Sequence, residues 1–302
     1  MKVLVCDSGI SKTQENKINY CDIGQGVWDE AQHGSTVCDI IKLLSPKSEV
    51  ESIKILDKDN SATLGILLEA LEYCAISDCQ VICLALSVDY NQECVPLKKC
   101  IDAIISKGKI IVSSNRNRYK FSYPACYECV IGCQIQQEEI KETLYSANRT
   151  IQSALPLNAV LRKIETDGFN ILGGNSLSCA VMAGEISNIM ESNNIIAKED
   201  LDIYLEKLKW EEYQIYKLIP QTKNISENDN LKRISDTIYD IFTSNDFDMD
   251  EPLYMSSNLK MLLEILSNIG YLDNINNCIT QMNDLYNIKT LSEYIYTINS
   301  KY

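Results

Sequence analysis

A single imidazole is available to this chain of 302 residues: His33, in Gln32-His33-Gly34-Ser35. Any mechanism that needs two histidines, as most zinc hydrolases do, must do without one. What remains is one general base titrating near neutral pH, and the chemistry turns on which nucleophile and which carboxylate flank it. Alone, a histidine followed by glycine is more often structural. Three other segments reverse that reading.

Lys2-Val3-Leu4-Val5-Cys6-Asp7-Ser8-Gly9 reads as an apolar strand ending in a carboxylate and a turn glycine, and an Asp at the C-terminal end of a buried parallel strand faces a crevice. In Leu172-Gly173-Gly174-Asn175-Ser176 two glycines free the backbone before a serine, and the small residues after it read as the start of a buried helix. That puts a hydroxyl beside the unpaired N–H groups of a helix N-terminus. Gly108-Lys109-Ile110-Ile111-Val112-Ser113-Ser114-Asn115-Arg116-Asn117 reads as another strand running into polar amides, and an Asn side chain there can donate to a developing oxyanion. Taken singly, Asp7 is explained by a turn and Ser176 by a helix cap. Together they set Asp, His, Asn and Ser at the ends of successive segments of an alternating strand and helix pattern, the arrangement of an α/β protein with a parallel sheet.

That order resembles the subtilisin-like serine proteases. The Asp7 segment is similar to the family's Asp-Ser/Thr-Gly strand end, Gln32-His33-Gly34-Ser35 to its His-Gly-Thr, and Gly174-Asn175-Ser176-Leu177-Ser178 to its Gly-Thr-Ser-Met-Ala. Connecting segments match too: Ile53-Lys54-Ile55-Leu56-Asp57 with the helix pattern from Gly65 to Tyr73, and Ser122-Tyr123-Pro124-Ala125 with Val130-Ile131-Gly132. The resemblance covers roughly residues 1–195 and implies a doubly wound parallel sheet with flanking helices. It implies Ser176 as nucleophile, His33 as base, Asp7 as the group orienting it, and Asn117 with the Ser176 N–H around the oxyanion; Asn115 is the alternative amide. The chain departs from the family at Arg116, where the family has glycine, at Ala180, where it has proline, and at Val181, where it often has histidine. Val81 to Ser87 resembles the strand that pairs an extended substrate, with Ala85-Leu86-Ser87 on one wall and Ser113, Ser114, Asn115 and Arg116 on the other. Arg116, Arg118 and Lys120 form a basic cluster, read either as selection of acidic or polar substrate residues or as a solvated loop.

The chain carries a net charge of −14, which argues against nucleic-acid binding. No apolar run approaches the ~18 residues of a membrane span. Met1 leads straight into the first strand pattern, so no signal peptide is expected, and thirteen cysteines, an odd number set largely within apolar strands and helices, suit a reduced cytoplasmic protein better than a disulfide framework. Cys126-x2-Cys129-x3-Cys133 lacks a fourth ligand at metal-site spacing, so neither a metal nor another cofactor is expected.

After about residue 195 the pattern becomes helical. Residues 196–230 read as a connector, with a polar break from Asn224 to Asn230, and 231–302 as a small all-α bundle, its apolar positions at Ile234, Ile238, Ile241 and Phe242, Leu259, Leu262, Leu263 and Leu266, and Leu291, Tyr294 and Ile295. The bundle weakly resembles acyl or peptidyl carrier domains through Phe247-Asp248-Met249-Asp250 and Lys289 to Ile295, although Ser257-Asn258-Leu259 leaves the attachment serine out of register. It reads as a docking module for a substrate peptide or partner protein, or as a buttress. The expected function is that of a cytoplasmic serine endopeptidase that trims a precursor peptide in peptide maturation. The alternatives are general protein turnover and a silent peptide-binding relative.

Overall fold

The computed structural model describes residues 1–88, 94–117, 122–135, 145–155, 159–164, 168–218, 228–245, 259–272, 278–280 and 288–300. Arg118, Lys120, Asn224, Phe247-Asp248-Met249-Asp250 and Ser256-Ser257-Asn258 lie outside them.

Short apolar runs become β1 (Lys2–Asp7), β3 (Glu49–Lys54), β4 (Val81–Leu84), β5 (Ile110–Ser114) and β6 (Ile131–Ile135); with β2 (Asn19–Cys21) and β7 (Ser153–Leu155) they form a seven-stranded sheet in the order β2-β3-β1-β4-β5-β6-β7. Every neighbouring pair is parallel. Strands buried on both faces need no polar alternation, which is why β4 and β5 read as continuous apolar runs and are buried throughout. Helices α2 (Leu64–Ile76) and α3 (Val95–Ile105) cover one face, packing Leu67, Leu71, Leu97 and Ile101 on Leu4, Ile82 and Ile111. Each such side chain contributes roughly 1.5–3 kcal/mol by leaving water. Helices α1 (His33–Leu44) and α4 (Asn175–Asn193) pack on each other and on the sheet's opposite face. Gly184 of α4 makes that approach close, since a Cβ there would stand 2.9 Å from the Leu44 Cβ. Because α4 is enclosed, it is apolar around nearly its whole circumference, with Cys179, Ala180, Val181, Met182, Ala183 and Ile186 all buried. It runs unbroken past Ala180, where the resembled family has proline.

From β1 the chain crosses to β3 on one side, and from β4 it proceeds to β5 on the other. The strand order therefore reverses between β1 and β4, and a crevice opens outside their carboxyl ends. Asp7 closes β1, Ala85 follows β4 and Asn115 follows β5, so the candidate residues are carried to one edge of the sheet.

The chain divides into two compact units, Met1–Pro156 with Gly174–Tyr216, and Leu157–Gly173 with Lys217–Tyr302. In the first, after α4, α5 (Lys198–Lys207) buries Leu201 and Leu205, and Tyr145 Oη donates to Asp202. Glu185 of α4 accepts the Ile215 N–H at 2.7 Å in α6 (Gln214–Leu218). In the second unit, α7 (Asp229–Ser244), α8 (Leu259–Asn268) and α9 (Ile288–Ser300) share a core of Ile234, Ile238, Leu262, Leu263, Leu266, Leu291, Tyr294 and Ile295. These are the apolar positions whose helical spacing the sequence displays. The unit also holds a three-stranded antiparallel sheet, β10-β8-β9, from β8 (Ala159–Ile164), β9 (Gly168–Gly173) and β10 (Cys278–Thr280), in addition to the helices expected there.

Among the described residues no helix is long and apolar enough to cross a membrane, and no group of three or more His, Cys, Asp or Glu side chains could hold a metal ion. Cys6, Cys21, Cys38, Cys74, Cys79, Cys83, Cys94, Cys100, Cys126, Cys129, Cys133 and Cys179 are free thiols, and of these Cys6, Cys38, Cys74, Cys79, Cys83, Cys133 and Cys179 are buried.

Candidate active site

Asp7 is fully buried where β1 ends, and its Oδ1 accepts from the Ser8 N–H at 2.7 Å and from His33 Nδ1 at 2.7 Å. With Nδ1 carrying the proton toward Asp7, the Nε2 of His33 is left as the basic nitrogen. Burial of the His33 ring lowers its pKa, but the charge of Asp7, the hydrogen bond to it and the charge of Asp29 outweigh burial, and the net displacement is upward from the ordinary value.

His33 is the first residue of α1, and two side chains from outside the helix satisfy the N–H groups that follow it. Ser8 Oγ accepts the Gly34 N–H at 2.8 Å, and Asp29 Oδ2 accepts the Ser35 N–H at 2.7 Å and the Ser35 hydroxyl at 2.5 Å. The Asp29 carboxylate thus sits at the positive end of the helix dipole. Gln32, just before His33, adopts a left-handed backbone at φ 62°, a conformation that costs a non-glycine residue of the order of 1–2 kcal/mol. Gly34 is where α1 touches the end of β1: a Cβ there would lie 2.6 Å from Gly9 O and 2.8 Å from Gly9 N. Gly34→Ala should therefore push α1 away from Asp7, costing about 1–3 kcal/mol of stability and lengthening the His33–Asp7 contact. Thermal unfolding and kcat/KM should fall together in this variant. In Gly65→Ala, whose Cβ meets only Thr63 Oγ1 at 3.8 Å, stability should hold or rise, and equal tolerance of both changes would contradict the steric account.

Ser176 is the second residue of α4. The turn before it needs glycine, because Gly174 has φ 112° and its missing Cβ would stand 3.1 Å from Asn117 Oδ1. Asn117 Oδ1 accepts the Asn175 N–H at 3.1 Å, which turns the Nδ2 end into the donor beside the start of α4. Asn115, the alternative amide, is buried, with its Oδ1 accepting from the Ser122 hydroxyl at 3.2 Å. Asn175 pins these loops together. Its Nδ2 donates to the carbonyls of Asn115 and Arg116, both at 3.0 Å, and its Oδ1 accepts the Ile135 N–H at 2.8 Å.

His33, Ser176 and Asn117 line one cleft of about 780 Å³. Ala85, Leu86 and Ser87 line it on one side and Ser114, Asn115 and Arg116 on the other. Asp7 lies behind His33, outside the lining. Ser113, expected on the wall, is absent from the lining too; it is fully buried, with its Oγ donating to Leu86 O at 3.4 Å. The reason is strand alternation, which turns neighbouring β5 side chains to opposite faces. Four contributors to the geometry of the site are not legible in the sequence. Ser8, Asp29 and Asn175 act through hydrogen bonds to partners that spacing does not reveal, and the segment Asn60 to Leu64 adds a further stretch of cleft wall. The acidic residue four positions before His33 was the one signal that could have been used.

Comparisons bear on this arrangement. No protein-family model matches the chain. A thermophilic serine proteinase of Bacillus sp. (strain AK1) is 21% identical over 229 residues, covering 68% of this chain, and the chain spans 57% of that relative's length. The likeness is to serine proteinases. Among solved structures, the prenylagaramide maturation protease PagA matches with a TM-score of 0.52 at 14% identity, over 63% of this chain and 75% of PagA. The sequence similarity is distant and the structural similarity is one of fold. The parallel seven-stranded sheet between helix layers is consistent with the subtilisin-like fold that the motif order implies.

Proposed function

We propose that this chain is a serine endopeptidase that cuts peptide bonds with Ser176, His33 and Asp7. The observation that carries the reading is the 2.7 Å contact of His33 Nδ1 with a buried carboxylate, in a ring whose other side faces the cleft that Ser176 and Asn117 also line. In the reaction, Ser176 Oγ bonds to the carbonyl carbon as His33 Nε2 takes the hydroxyl proton, and Asp7 stabilises the imidazolium. The oxyanion accepts from Asn117 Nδ2 and from the N–H of Ser176 at the helix start. His33 then delivers its proton to the nitrogen of the breaking C–N bond, and water repeats the sequence to release the acid. The substrate lies extended along Ala85-Leu86-Ser87, where main-chain bonds hold it.

Asn117→Ala should lower kcat by about 100- to 1,000-fold with little change in KM, because the lost donor acts mainly on the developing charge. Asn115→Ala should instead lower stability, since that amide is buried against Ser122. An equal loss of kcat from both would remove the distinction between them.

The substrate class we favour is a precursor peptide trimmed during maturation. PagA is a maturation protease, and the free buried thiols suit a reducing cytoplasm. The C-terminal helices then serve to dock a remote part of that substrate or a partner protein. The test is mass spectrometry after incubation with a precursor-length peptide and with a short peptide spanning the same bond. Internal cleavage, faster on the long peptide, is expected. Binding without cleavage would favour a silent peptide-binding protein, and equal rates on both lengths would favour general protein turnover.

A further inference from the structure

We propose that the Asn175 side chain is a positioning residue for the reaction, holding the loop that carries Asn117 so that the Asn117 amide meets the oxyanion; the inference rests on the protease reading above and assigns a further residue to the same site. Asn175 directly precedes Ser176 and is buried. Its amide is fully committed. The two Nδ2 hydrogens go to the carbonyls of Asn115 and Arg116, both at 3.0 Å, and Oδ1 accepts the Ile135 N–H at 2.8 Å, where β6 ends. No side-chain N–H is left for a substrate, so Asn175 cannot itself be an oxyanion donor. It acts through what it holds.

Three pieces of chain meet on this one side chain: the loop after β5, the end of β6 and the first turn of α4. The N–H side of the loop has other partners, since the Asn115 N–H donates to Cys133 O and the Arg116 N–H to Ser122 Oγ, both at 2.8 Å. The carbonyl side of the same two residues is held by Asn175. The Arg116 carbonyl belongs to the peptide unit that leads into Asn117, so its tilt sets where the Asn117 side chain begins. The backbone of Asn175 then fixes the far end of that side chain, its N–H donating to Asn117 Oδ1 at 3.1 Å. One residue thus sets both the root and the orientation of the oxyanion amide, beside the serine it must act with. The resembled family has threonine at this position, and a hydroxyl with its single hydrogen could not hold two carbonyls. A carbonyl released from Asn175 lets the Asn117 donor drift, and an oxyanion bond weakens steeply with misalignment.

The test is a double-mutant cycle in the full chain, read as kcat and KM for one fluorogenic peptide, with fluorophosphonate labelling of Ser176 and thermal unfolding alongside. Asn175→Ala should lower kcat by on the order of 10- to 100-fold with KM little changed. In an Asn117→Ala background the same change should cost less than about threefold, because the amide it positions is already gone. Asn175→Asp keeps the size and the acceptor for the Ile135 N–H but loses the donations, so it should show the same coupling, and it carries the cycle if Asn175→Ala does not fold. Equal losses in the two backgrounds, or a lower melting temperature with kcat unchanged, would overturn the positioning role and leave the protease reading standing. Failure of both variants to fold would do the same, by making Asn175 a brace of the fold alone. A wild type that neither hydrolyses peptide nor is labelled at Ser176 would overturn the protease reading, and this role with it.

Discussion

Ser176→Ala should lower kcat for any accepted peptide by on the order of 10⁶-fold while leaving the fold intact. In the proposed reaction the Ser176 oxygen has no substitute among the other residues at the start of α4. Asn175 is committed to the carbonyls of Asn115 and Arg116 and to the Ile135 N–H, and Leu177 and Ser178 are buried. Stability should change by no more than about 0.5 kcal/mol, because Ser176 lines an open cleft and a single hydroxyl there contributes little to packing. Residual hydrolysis above the uncatalysed rate is expected, since Asn117 and substrate binding remain. Thermal unfolding and single-turnover cleavage of one peptide, measured side by side, separate loss of chemistry from loss of structure. Undiminished cleavage by this variant would remove Ser176 from the reaction.

Asp7→Asn should lower kcat by about 10⁴-fold and also displace the pH dependence. The proposed reaction needs His33 neutral in the wild type. Burial lowers the pKa of the ring, but Asp7 and Asp29 raise it by more, so kcat/KM should climb through an apparent pKa above about 6.5 and then level off. Replacing the carboxylate by an amide removes the larger of the two stabilising charges and leaves desolvation less opposed. The acidic limb of the residual activity should therefore move to lower pH. With one histidine in the chain, the imidazole resonances in an NMR titration belong to His33 alone, and the same displacement can be read without turnover. An unchanged titration in Asp7→Asn would contradict the electrostatic role of Asp7.

The main features of the first unit are legible in the sequence because each depends on a short stretch of chain. A strand that ends in Asp7, a helix that starts at His33, and a glycine that must take positive φ before Ser176 are all local signals. The resemblance places Asn117 ahead of Asn115, but the contact that sets Asn117 beside the start of α4 is not local. It depends on the Asn175 N–H, 58 positions away in the chain, and on Ser122 capturing the other amide. The roles of Ser8 and Asp29 were hidden for the same reason, since capping by a residue outside the helix leaves no fixed spacing. In the second unit the helices announce themselves through apolar periodicity, but the sheet does not. Its strand β10 has three residues and pairs with β8 across more than a hundred positions, with Ile279 opposite Val160, and no window of sequence contains that contact. The arginine at position 116 is visible as a departure from the resembled family, whereas its place in the cleft lining requires the folded chain.

The most direct test of the central claim is the site at which a fluorophosphonate attaches to the native protein. Incubation at a pH above the His33 titration, followed by proteolysis and mass spectrometry, should give one stoichiometric adduct on Ser176. No adduct should form on protein denatured beforehand, and labelling should be strongly slowed in Asp7→Asn. A native protein that remains unmodified at Ser176, or that is modified at another serine with concurrent loss of peptide hydrolysis, would contradict the assignment of Ser176, His33 and Asp7 as one catalytic unit.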